Sequence, residues 1–125
     1  MKKPSRKSLE KQVYDLWSLC VRGRQRVCRI CGSDRGLQAH HIRSRSNAAT
    51  RFDLENGLCV CSKCHCQQKF RPEWFQDQVI SIVGDQKYRT LKVKSLQVIP
   101  SVDLIEMKDF LKQKLREIEN EWGEP

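Results

Sequence analysis

Two Cys-x2-Cys pairs, Cys28/Cys31 and Cys61/Cys64, stand 29 residues apart and constrain this 125-residue chain more than any other feature. A Cys-x2-Cys turn brings two thiolates onto one knuckle, close enough to share an ion. Two knuckles supply the four soft ligands that structural Zn²⁺ prefers in tetrahedral array. The gap exceeds the roughly 15–20 residues of compact zinc ribbons. A small element such as a hairpin must therefore lie between the knuckles. The competing reading makes these cysteines ordinary buried residues. Two pairs, one followed by Gly32, favour the metal. Cys59-x-Cys61 competes for the register, but neither Cys59 nor Cys66 has a partner at the x2 spacing. Cys20 falls on an apolar helix face and reads as core.

A staple is also what a chain this short and polar needs. Its first half carries too little apolar surface for a self-sufficient core. Seven cysteines, an odd number, argue against a disulfide framework. The opening MKKPSRKSLEK lacks the apolar stretch of a signal peptide, so a reducing, cytoplasmic compartment is expected. No run approaches the length of a membrane span, and no membrane partner is expected. The net charge of +9 is unevenly spread. Residues 1–71 hold 16 basic and 5 acidic side chains, a balance of +11, whereas residues 72–125 hold 8 and 10, a balance of −2. The front block reads as a phosphate-facing surface.

The expected fold class is small α+β. Residues 1–7 read as a basic flexible arm, 8–95 as one domain with its core at 28–70, and 96–125 as a helical extension. Ser8 is the expected cap of a helix whose apolar face carries Leu9, Val13, Leu16, Trp17, Cys20 and Val21, with Gly23 as its stop. Leu37–Ile42 and Leu58–Val60 read as short strands, Asn47–Arg51 as a loop or helical turn, and Asp53–Gly57 as a turn. A short helix is expected from near Cys64 to before Pro72. Pro72 then suits the first turn of a helix ending at Gly84. Asp85 opens another short helix. Ser101 is the expected cap of a long one, striped by Leu104, Met107, Leu111, Leu115, Ile118 and Trp122. That stripe reads first as packing within the domain and leaves a homodimer open.

All three histidines fall within or beside the cysteine-bounded segment. His40 and His41 are adjacent at the end of a strand, so their side chains point to opposite sides. One can serve a metal while the other faces a water beside it. His65 follows the last knuckle cysteine. Asn56 lies in a turn where its amide can bridge backbone groups. His40, His41, Asn56 and His65 can thus converge beside the knuckles. Two plainer readings stand beside this one: histidines on the surface of a zinc-stapled binding module, or His65 as a fourth zinc ligand.

The runs Ala39-His40-His41-Ile42, Leu54-Glu55-Asn56-Gly57-Leu58 and Cys61-Ser62-Lys63-Cys64-His65 resemble the HNH endonuclease motif. That family carries a ββα-metal fold, often with two Cys-x2-Cys pairs around it. The longer order of elements, through a charged C-terminal helix, resembles the phage NinG (Rap) recombination nucleases. In that subgroup many members have Asn in place of His65 and a residue other than His at position 40.

The resemblance implies an enzyme that hydrolyses DNA, double-stranded or branched, to a 5′-phosphate and a 3′-hydroxyl. It would act in the host cytoplasm if phage-encoded. It makes His41 the general base, with Asn56 orienting its loop and His40 and His65 holding a catalytic Mg²⁺ or Mn²⁺. Two imidazoles also suit Ni²⁺, Co²⁺ or Zn²⁺. Cys28, Cys31, Cys61 and Cys64 would hold structural Zn²⁺. Arg43, Arg45 and Arg51 are candidates to clamp the phosphate, with general DNA contact an equal alternative for each. Lys63, Lys69 and Arg71 extend the same DNA-binding surface. A non-catalytic nucleic-acid-binding adaptor accounts for the cysteines and charge but leaves the histidines without a role. An RNA-directed nuclease lacks the expected aromatic strand motif.

Overall fold

The hairpin required between the knuckles is there. In the computed structural model, which describes residues 3–123, β1 (Leu37–His41) pairs antiparallel with β2 (Gly57–Cys61), and a single 3-10 turn (Leu54–Asn56) leads into β2. Around this hairpin stand α1 (Arg6–Gln25), α2 (Ser62–Phe70), α3 (Pro72–Val83), α4 (Asp85–Ser95) and α5 (Leu104–Trp122). The class is small α+β, with β1, β2 and α2 forming the ββα unit. Among the described residues, no helix is long and apolar enough to cross a membrane.

Strand β2 is buried along its whole length, and its alternation divides the core into two layers. Cys59 faces a cluster containing Val13, Trp17, Val21, Ala39, Leu104, Leu111 and Ile118, which belongs largely to α1 and α5. Leu58 and Val60 face the other cluster, with Ile42, Phe75, Val79 and Leu91 from the loop after β1, α3 and α4. The stripe of α5 is thus spent largely on α1, inside the same core. Trp122 lies at the exposed end of that stripe.

Several element ends differ from the sequence expectation. Ser5 caps α1, its Oγ accepting from the Ser8 N–H at 3.1 Å, so Arg6 and Lys7 of the expected arm are helical. Met1 and Lys2 of that arm lie outside the described residues, as do the last two residues of the C-terminal extension. Gly23 does not stop α1. It is buried inside the helix, which ends instead at Arg26 with φ 71°. The extra turn brings Gln25 against the hairpin, where it donates to the Gly57 carbonyl at 2.9 Å and accepts the Cys59 N–H at 2.8 Å. Together with the Arg29 N–H on the Cys59 carbonyl at 2.9 Å, Gln25 closes the outer edge of β2. Asp103, two residues after Ser101, caps α5 through the Glu106 N–H at 3.1 Å.

Gly57 sets how closely α1 approaches the hairpin. A Cβ there would lie 2.3 Å from Val21 Cγ2 and 3.1 Å from Trp17 Cζ2. Gly57 is also the partner of His41 in the strand register. The bare backbone at 57 therefore makes room for the Trp17 indole beside His41.

Candidate active site

The cysteine cage comes from the two segments that flank the hairpin and meet at its open end, where Leu37 pairs with Cys61. The four Sγ atoms of Cys28, Cys31, Cys61 and Cys64 all lie within 4.8 Å of one another, and Cys31 and Cys61 are 3.6 Å apart. Four sulfurs about 2.3 Å from a zinc ion would stand about 3.8 Å apart, so the cage fits the ion. Backbone N–H groups point at two sulfurs: Cys31 at Cys28 Sγ, 3.4 Å, and Cys64 at Cys61 Sγ, 3.5 Å. The left-handed Gly32, φ 81°, completes the first knuckle, while Cys61 caps α2 and places Cys64 in its first turn.

The sulfur electrostatics suit a cation. Burial opposes the Cys28 thiolate, but backbone donors at Cys31, Cys61 and Ile30 outweigh it and bring the thiol down to about 6. Burial and the three neighbouring sulfurs push Cys64 well up. A negative charge settles easily on Cys28 and not on Cys64, unless a cation compensates it. Four cysteines are thus positioned to bind a metal ion, and the all-sulfur donor set suits zinc. His65 does not join this group.

The histidines line a separate cleft of about 380 Å³ that runs along β1, together with Tyr14, Ser44, Arg45 and Gln68. His40 Nδ1 stands 3.3 Å from His65 Nε2. His65 Nδ1 is 2.6 Å from Gln38 Oε1, which can only accept, so Nδ1 carries the proton and Nε2 is bare. Two nitrogens about 2.1 Å from a shared cation stand roughly 3.0–3.4 Å apart at right-angled to tetrahedral openings. The His40–His65 separation falls in that range. The Phe75 ring meets His40 edge-on at 4.9 Å and closes the inner side of the pair.

His41 leaves the strand the other way, as alternation requires. Its ring lies on the Trp17 indole, with centroids 4.0 Å apart and planes inclined by 13°, and Tyr14 flanks it at 5.8 Å. Trp17 is itself fixed by its Nε1–H on the Asp53 carbonyl at 2.9 Å. His41 Nε2 is 3.0 Å from the Arg51 carbonyl, which can only accept. Nε2 therefore carries the proton and Nδ1 is bare.

All three imidazoles are neutral at pH 7. Burial lowers His40 to about 4, with His65 and His41 adding to the shift. Burial also lowers His41, assisted by the Arg45 and Arg51 charges and opposed by the Arg51 carbonyl. Burial lowers His65. Neutral imidazole is the form that ligates cations and accepts protons.

Asn56 is fully buried and bridges the backbone just beyond His41. Its Oδ1 accepts the Arg43 N–H at 2.7 Å and its Nδ2 donates to the Arg43 carbonyl at 3.0 Å. The Ile42 N–H bonds the Asn56 carbonyl at 2.9 Å.

The arginines separate by position. Arg45 lines the cleft. Arg43 is turned to α4, its Nε donating to Ser95 Oγ at 3.2 Å and its Nη1 to the Tyr88 hydroxyl at 3.4 Å. Arg51 pairs with Glu10 at 3.3 Å and lies over the Phe52 ring, while its carbonyl serves His41. Lys63 is exposed in the first turn of α2, Lys69 lies over Phe70, and Arg71 lies over Trp74 at 4.4 Å. The site residues that sequence reasoning missed are Trp17, Tyr14, Gln38 and Gln68. The periodicity of α1 marks Trp17 as core, but it carries no sign that the buried ring faces a histidine 24 positions away.

Residues 28–67, about a third of the chain, match the family model described as HNH endonuclease. That similarity points to nuclease chemistry on a nucleic acid. No curated protein and no solved structure matches the chain.

Proposed function

We propose that this chain is a metal-dependent endonuclease that hydrolyses DNA phosphodiester bonds and leaves a 5′-phosphate and a 3′-hydroxyl. One observation carries the reading: a single cleft holds two imidazoles whose nitrogens stand 3.3 Å apart, His40 and His65, and a third imidazole, His41, with a bare nitrogen. The family similarity over residues 28–67 supports it. The resemblance to phage recombination nucleases makes branched DNA the first substrate to test.

In this reading His41 is the general base. Its Nδ1 accepts the proton of the attacking water, while the Arg51 carbonyl and the Trp17 face hold the ring against rotation. His40 Nδ1 and His65 Nε2 hold a divalent cation, Mg²⁺ or Mn²⁺, with Ni²⁺, Co²⁺ or Zn²⁺ also suited to imidazole. Bound there, the cation supplies electrostatic stabilisation of the phosphate and of the leaving 3′ oxygen. Gln38 keeps the His65 proton on Nδ1, so Nε2 stays available as a ligand. Arg45 contacts the phosphate from the cleft wall. Arg43 acts through its backbone and its hold on α4. Asn56 is a positioning residue that fixes the turn after His41.

The test is plasmid nicking across Mg²⁺, Mn²⁺, Co²⁺ and Ni²⁺, with EDTA and His41→Ala as controls. Metal-dependent nicking that His41→Ala abolishes, with DNA binding retained, is the expected result. An alanine variant that cuts as fast as the parent overturns the assignment. Binding without nicking in every metal leaves a zinc-stapled adaptor in its place.

A further inference from the structure

The balance of −2 over residues 72–125 conceals a basic helix. α4 carries Lys87, Arg89, Lys92 and Lys94 against one carboxylate, Asp85. The four cations do not share a face. Lys87 pairs with Glu55 at 2.7 Å and Lys94 with Asp53 at 2.5 Å, so both dock α4 onto the 3-10 turn and its cap. At about 100° per residue, Lys92 and Arg89 project from the opposite flank, next to Tyr88 and Ser95. Both are exposed, and neither has an ion-pair partner among the described residues. Asp85 stands on the same flank at the helix start.

That flank is joined to the cleft by two routes. Arg43, two residues beyond His41, reaches Tyr88 and Ser95, and the Ser95 hydroxyl donates to the Lys92 carbonyl at 2.7 Å. Gln76 donates to the Tyr88 hydroxyl and adjoins Phe75, whose ring closes on His40. Free cations beside a candidate cutting site fit a polyanion running past it.

We infer that Arg89 and Lys92 of α4 form a second phosphate-contact strip, which grips duplex DNA beside the cut. The inference rests on the proposed DNA-cleaving function. The strip sets affinity and position on the duplex and takes no part in bond cleavage.

The experiment is a salt titration of labelled duplex DNA with the zinc-loaded full chain in the absence of added Mg²⁺, followed by fluorescence anisotropy. Three proteins are compared: the parent, R89Q/K92Q, and K112Q/R116Q, which removes the same charge from α5. Loss of two phosphate contacts should weaken binding roughly tenfold or more at low salt and make the salt slope shallower by roughly 2. The α5 variant should stay near the parent. If R89Q/K92Q binds like the parent, or if both variants lose affinity equally, the strip does not exist. A parent that binds no duplex DNA overturns the DNA reading itself, and this inference with it. Nicking by the parent tests the catalytic part separately.

Discussion

His41 lies flat on Trp17, with ring centroids 4.0 Å apart and planes inclined by 13°. The indole comes from α1, outside the segment that matches the HNH family. It stabilises the fold by complete burial and also limits the rotation of the proposed base. Trp17→Phe keeps an aromatic face but loses contact area and the bond to Asp53. It should cost about 1–3 kcal/mol of stability, less than full truncation to Ala. In the folded protein it should lower kcat about tenfold with KM unchanged, since a slightly misplaced catalytic group slows chemistry without weakening binding. Urea unfolding and steady-state cleavage check the two halves. An unchanged kcat would leave Trp17 as a core residue only.

The pH profile has a defined direction. The folded protein holds His41 below 6.5, mainly through burial. The base form therefore dominates at neutral pH and is lost only as pH falls through that lowered value. kcat/KM should be flat near pH 7 and decline on an acidic limb below 6.5. Arg45→Gln removes one of the charges that lower His41, so the limb should move to higher pH. Movement in the opposite direction would mean that another group controls the limb.

Removing a cage cysteine should act on folding before it acts on chemistry. The knuckles join the first loop, β2 and α2, and the cage sulfurs Cys28, Cys61 and Cys64 are part of the second core layer. Cys61→Ser should lose bound zinc and cooperative thermal unfolding together. His65→Ala should keep one zinc per chain and lose only divalent-dependent cleavage. Metal content by mass spectrometry, measured beside thermal unfolding, separates the two. Loss of the structural zinc in His65→Ala would return His65 to the cage.

The ββα core and the cage were legible because their information is local. Ligand spacing fixes the knuckles, and the short strands read at Leu37–Ile42 and Leu58–Val60 fall within a residue of the observed Leu37–His41 and Gly57–Cys61. The amphipathic stripes of α1 and α5 likewise announced their own packing. What could not be read depends on long-range contacts. Gly23 looks like a helix stop until Gln25 is seen bonding β2. Arg43 reads as a phosphate clamp until α4 supplies Tyr88 and Ser95. Ser8 and Ser101 are good caps, yet Ser5 and Asp103 hold those places because packing chose where the helices enter. The average charge of the second half hid α4 for a simpler reason, since a sum over 54 residues carries no geometry.

Asn56 gives the sharpest contrast between two nearly isosteric side chains. Its carbonyl oxygen and its amide nitrogen are both engaged, on the N–H and C=O of the same residue, Arg43. Asn56→Ala strands both backbone groups in a buried site and should cost about 2–4 kcal/mol. Asn56→Asp keeps the acceptor for the Arg43 N–H but sets an oxygen against the Arg43 carbonyl. It must also either bury a charge or remain protonated. At neutral pH it should therefore be nearly as damaging as Ala. As the pH falls toward the ordinary Asp value of about 3.9, keeping the buried side chain protonated costs less, and the protonated Asp can donate to that carbonyl and recover part of the loss. Unfolding free energies of the three proteins at pH 7 and pH 4 check this, each read against the parent at the same pH. If Asn56→Asp matches the parent at pH 7, the two-ended bridge is not what holds the turn after His41.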